Sequence, residues 1–152
     1  MAMKFLWEQT YPYLIASVSA FAALVVQSQA LYSSMIDSLS EVIGVGSIIV
    51  GFLGTAMAIV WSLGPNPFVT RVREAGVYER ILGYMWVAIF VSLVLVAFSI
   101  ALKLFNKAPW FGPGWKRGAL AVWAGLVALM LCSSYRSIRI MYLFLRLASE
   151  DA

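Results

Sequence analysis

The stretch VIGVGSIIVGFLGTAMAIVWSLGPNPFVT, Val42 to Thr70, holds no Asp, Glu, Lys or Arg, and its reading decides the fold. A helix needs about 20 apolar residues to cross ~30 Å of hydrocarbon. This run supplies them before Pro65 and Pro67 end the helix. Residues 9–36, 81–102 and 118–135 are likewise free of charge. Of 152 residues, 62% are hydrophobic and 12% charged, and the mean hydropathy is +0.88. So few polar residues cannot coat a soluble domain. The expected fold is an all-α integral membrane protein: one domain over residues 1–152, a bundle of four transmembrane helices at about 11–32, 42–63, 81–104 and 118–139.

The first span is expected to stay attached. Lys4 precedes it and Ala20-Phe21-Ala22 resembles a cleavage site, yet apolar sequence continues through Val26. Glu8 and Pro12 also sit where a signal peptide is basic or smoothly helical.

Composition excludes much chemistry. There is no histidine, and Cys132 is the single cysteine. Haem ligation by histidine, most catalytic zinc sites, histidine triads, intrachain disulfides and cysteine metal clusters therefore fall away. No acidic or basic residue lies mid-span, which argues against a proton or cation relay. The membrane-embedded glutamate of four-span multidrug exporters has no counterpart in span one, whose polar residues are Ser17, Ser19 and Gln27. An intramembrane aspartyl protease needs two neighbouring aspartates, and Asp37 and Asp151 are expected on opposite sides. No enzyme, cofactor or metal site is expected. The net charge of +4 suits attraction to a membrane surface better than direct nucleic-acid binding.

Within the spans, small residues recur at alternating steps of three and four, which trace one helix face. Span one carries Ala16, Ala20, Ala23, Gln27, Ala30 and Ser34; span two carries Gly44, Ser47, Gly51, Gly54 and Ala58; span four carries Gly118, Ala121, Gly125, Ala128 and Cys132. Such faces let backbones approach closely in lipid, where no hydrophobic drive separates helix from solvent. They serve packing within one bundle or, in the sharper reading, between subunits. A four-span chain this short has little interior, so a homo-oligomer is expected. Arg136, Arg139 and Arg146 continue the span-four face on an arc of about 80°. They point to neighbouring helices in one reading and snorkel to lipid phosphates in the other.

Basic residues set the orientation. Lys4, Arg71, Arg73, Arg80, Arg136, Arg139 and Arg146 lie on one side, against Lys103, Lys107, Lys116 and Arg117 on the other. Both termini are thus expected in the cytoplasm of a bacterial inner membrane, with the end of helix four extending beyond the core. The loop FVTRVREAGVYERI, Phe68 to Ile81, joins them there, its short helix broken by Gly76. Glu74 and Glu79 are natural partners for the span-four arginines. Arg71, Arg73, Glu74, Glu79 and Arg80 with those arginines form a candidate docking face for a cytoplasmic protein. The alternative is a pore or channel, holin-like or anion-conducting, with Gln27 on a polar seam and an arginine ring at one mouth.

IIVGFLGTAMAIVWSL, residues 48–63, followed by FVTRVREAGVYERILGYMW, residues 68–86, resembles small four-span bacterial membrane proteins of anti-phage defence loci, nearest the transmembrane component of the Kiwa system. The resemblance covers about residues 40 to 105 and consists of a glycine-containing span, a short basic helix, a glycine and another span. It implies an oligomeric membrane sensor of phage-induced perturbation with a cytoplasmic partner that acts on phage DNA processes.

The orientation is open to a direct check. A cysteine placed at Asp37 is expected to react with a membrane-impermeant label added outside intact cells. Protection there, with labelling of a cysteine at Arg71, inverts the topology.

Overall fold

The computed structural model describes residues 2–26, 29–62, 70, 76–108 and 112–150, with side chains over 10–26, 30–62, 70, 76, 78–108, 112–143 and 146. Four helices account for nearly all of them: α1 (Ala2–Val26), α2 (Gln29–Ser62), α3 (Val77–Phe105) and α4 (Pro113–Glu150). No strand occurs among the described residues. Among the described residues, Ala30–Ser62, Tyr78–Phe105 and Pro113–Leu143 are each long and apolar enough to cross a membrane, and the apolar stretch described in α1 is Thr10–Val26. Large apolar side chains such as Val18, Phe21, Ile48, Trp61, Phe90 and Leu104 cover the outside of the bundle. On a soluble monomer such patches are a liability. Around spanning helices they are the surface that lipid solvates.

The first turn differs from expectation. Residues 33–41, read as a link between spans one and two, are helical, and α2 already starts at Gln29. Neither glycine nor proline occurs from Gln29 to Ile43, so nothing interrupts the helix there. Asp37 and Glu41, one turn apart and both exposed, extend it past the apolar stretch. With 34 residues α2 is about 51 Å long, and α4 with 38 is about 57 Å, so both exceed the hydrocarbon thickness. Gly76, with a φ of 67°, lies in the left-handed region that glycine adopts without strain, and α3 starts at the next residue; the short helix expected before it lies outside the described residues.

The helices run in the spatial order α1, α4, α3, α2, each packed antiparallel on its neighbour, with lesser contact between α2 and α4. Consecutive α1 and α2 share little contact. The α2–α3 pair is a heptad seam. On α2, Met35, Leu39, Leu53, Ala56 and Val60 are buried; on α3, Tyr78, Ile81, Met85, Ala88, Leu95 and Leu102 are. Gly46 belongs to this seam, since a Cβ there would lie 2.7 Å from Val96 Cγ2. Helix α4 uses two faces. Leu120 and Met130 meet α2 and α3, while Gly125 meets α1, where an added Cβ would lie 3.2 Å from Ala20 Cβ and 3.3 Å from the Ala16 carbonyl oxygen.

The two glycine environments of α2 give opposite expectations. Gly46→Val is expected to destabilise the protein by about 1–3 kcal/mol through overpacking against the stiff Val96. Gly44→Ala, with open space around the new methyl, is expected to be neutral or to stabilise by up to about 1 kcal/mol. Thermal denaturation in mild detergent distinguishes the two.

Candidate functional site

The residues singled out from sequence fall into three groups. Gln27, Arg71, Arg73 and Glu74 lie outside the described residues. Glu79, Arg80, Arg136, Arg139 and Arg146 gather at the end of the bundle where α3 begins and α4 finishes. Gly44, Ser47, Gly51, Gly54, Gly118 and Gly125 lie along the helix faces.

At the first end, antiparallel packing sets Ile81 and Met85 of α3 against Ile140 and Met141 of α4, which brings Glu79 and Arg80 level with the last turns of α4. Both are exposed, as are Arg139 and Arg146. Arg136 is different: only 8% exposed, it places its guanidinium over the Tyr84 ring, 4.0 Å from the centroid. A cation over an aromatic face is attracted by the ring quadrupole, most strongly where water is excluded. Arg136 therefore stacks on Tyr84 of α3, and Glu79 lies exposed on the same helix. Beside it, the Tyr11 hydroxyl donates to the Cys132 carbonyl at 3.4 Å, joining α1 to α4.

The small-residue faces have different fates. On α1 and α4, Ala16 and Ala20 meet Gly125 inside the chain. On α2, Gly44, Ser47, Gly51, Gly54 and Ala58 are all exposed, and a Cβ at any of the three glycines would meet nothing within 4 Å. The Ser47 hydroxyl donates to the Ile43 carbonyl at 2.8 Å, and that of neighbouring Thr55 to the Gly51 carbonyl at 2.9 Å. With its hydroxyls folded back on the helix, this face is flat and presents no unsatisfied donor to lipid. Gly118 is also exposed with open space beyond it.

Sequence reasoning missed a set of buried serines on α3 and α4. Ser92 and Ser99 are fully buried on α3, and Ser133 and Ser137 nearly so on α4. The Trp123 indole N–H donates to Ser99 Oγ at 3.2 Å. The Ser137 hydroxyl lies 3.1 Å from the Tyr84 carbonyl and 2.9 Å from that of Ser133. The available signal was the seven-residue spacing of Ser92 and Ser99 in an otherwise apolar helix. At the opposite end of the bundle, Tyr32 Oη donates to Asn106 Oδ1 at 2.8 Å. Lys103 Nζ donates to Ser40 Oγ at 2.7 Å, and Lys116 Nζ sits 5.5 Å from the Tyr32 ring centre. These contacts fasten the first turns of α2 to the ends of α3 and α4 that face each other across residues 106–112.

Among the described residues, no three His, Cys, Asp or Glu side chains gather as metal ligands would. Comparison with protein-family models, with curated proteins and with solved structures finds no match for this chain.

Because the Tyr84 hydroxyl is buried without a hydrogen-bond partner among the described residues, its ring and its hydroxyl have separable effects. Tyr84→Phe is expected to be neutral or slightly stabilising. Tyr84→Leu, which removes the ring beneath Arg136, is expected to cost about 1–2 kcal/mol. Equal losses in thermal denaturation would show that the hydroxyl, not the stacking, matters.

Proposed function

We propose that this chain is an inner-membrane scaffold and sensor subunit that assembles with copies of itself through the small-residue face of α2. In this reading it docks a cytoplasmic effector at the end bearing Glu79, Arg80, Arg139 and Arg146, with Arg71, Arg73 and Glu74 of the preceding loop. The observation that carries the reading is the contrast between two faces of α2. Its large-residue seam is filled by α3, and its glycine face is left bare. Small residues at helical spacing bring helices together in lipid through van der Waals contact, and α1 with α4 already does so within the chain at Gly125. A second copy gives the α2 face the same kind of neighbour.

The exposed charge at the α3–α4 end supports the docking part. Hydrocarbon cannot solvate these groups, so they lie at the headgroups or in water, where a soluble partner reaches them. The likeness to small proteins of anti-phage defence loci extends the proposal to an antiviral effector. The pore reading draws no support from Arg136, whose guanidinium is engaged with Tyr84 rather than standing at a mouth.

Assembly and docking are separable by mutation. Gly51→Leu with Gly54→Leu is expected to reduce the particle to a monomer in light scattering with refractive-index detection, leaving helical circular dichroism unchanged. Arg71→Glu with Arg73→Glu is expected to leave the oligomer intact and abolish co-purification of the cytoplasmic partner. An unchanged particle size for the leucine pair rules out assembly through this face.

A further inference from the structure

Between α1 and α4, at the end where Arg136 and Arg139 lie, Tyr11, Tyr135, Arg136, Arg139, Ile140 and Leu143 line a cavity of about 160 Å³. Two of these six residues are guanidinium-bearing and none is acidic. Arg136 forms a sheltered wall, held in place by the Tyr84 ring, while Arg139 is exposed at the rim. Ile140 and Leu143 add an apolar side. The cavity's depth is informative as well. The charge-free run of α4, residues 118–135, ends beside Arg136, so the site lies where hydrocarbon gives way to headgroups.

We propose that this cavity binds the phosphate of an anionic phospholipid. A guanidinium is planar, permanently charged and matched to phosphate oxygens through paired N–H donors. Two of them three residues apart project from the same side of a helix. The phosphodiester sits between Arg136 and Arg139, with the tyrosine rings as side walls. The first methylenes of the acyl chain run along Ile140 and Leu143. Free phosphate shares the anionic chemistry but would leave that apolar side without a partner. The site is lined from α1 and α4, with Arg136 braced by Tyr84 of α3, and is independent of assembly through α2.

The test uses the full chain purified in mild detergent and presented with phosphatidylglycerol, phosphatidylcholine or inorganic phosphate. Bound molecules are counted by native mass spectrometry, and thermal denaturation is followed in parallel. One phosphatidylglycerol per chain is expected to be retained, with phosphatidylcholine at least about tenfold weaker. Arg139→Gln should weaken retention about tenfold and leave the lipid-free unfolding midpoint unchanged, since this side chain is exposed. Arg117→Gln, on an exposed residue at the opposite end of α4, should leave retention intact. Equal retention of the two lipids, an unaffected Arg139→Gln variant, or an equal loss in Arg117→Gln would each overturn the proposal. So would stabilisation by inorganic phosphate without lipid retention, which would assign the cavity to a free anion.

Discussion

The close approach of α1 and α4 at Gly125 is the constraint on which the arrangement of the bundle depends. In lipid, apolar side chains gain nothing by leaving one hydrocarbon environment for another, so helices must be held by packing and internal hydrogen bonds. Helix α1 packs chiefly on α4. The absence of a side chain at Gly125 admits the Ala16 carbonyl and the Ala20 methyl. Tyr11 adds a hydrogen bond farther along the same interface. With α1 placed there, α4 has α1 on one face and α3 on the next, and α2 reaches the bundle mainly through α3.

The all-helical, largely apolar character of the chain was legible from sequence because charge-free runs and their length answer directly to the thickness of a bilayer, and three of the four expected spans are long and apolar enough among the described residues. Gly76 was legible because its flanks change from loop to apolar pattern. Helix α2 shows where periodicity fails. Leu39, Gly46, Leu53 and Val60 form one face at seven-residue spacing; Gly44, Gly51 and Ala58 form another at the same spacing. Two positions apart, at 100° per residue, the faces diverge by about 200°, nearly opposite sides of the helix. Both satisfy the rule for a packing seam. Only the partner, α3 with its buried Met85 and Leu95, decides which turns inward. Gly46 is the glycine of α2 that a neighbouring helix closely approaches, and its own sequence neighbourhood does not distinguish it from Gly44 or Gly51.

The polar contacts were hidden for a related reason. Ser92, Ser99, Ser133 and Ser137 read as small residues in apolar helices, and nothing nearby in sequence distinguishes them. Their roles come from neighbours supplied by another helix: the indole of Trp123 for Ser99 and the backbone of Tyr84 for Ser137. A serine that also bonds its own helix has a partner whatever packs against it. It therefore tolerates burial and adds an interhelical bond where one is offered.

Arg136 obeys the same logic with a full charge. A snorkelling arginine needs only a route to the headgroups, and Arg139 and Arg146 keep one by remaining exposed. Arg136 is one turn nearer the middle of α4 and lies over an aromatic face. The lysines at the other end are also engaged, Lys103 with Ser40 and Lys116 over Tyr32. A simple tally of basic residues treats all of these charges alike. Two of the four on the 103–117 side hold α2 in place, so their presence has a structural cause that is independent of topology. Discounting them widens the charge asymmetry in favour of cytoplasmic termini, the orientation that the proposed docking face requires.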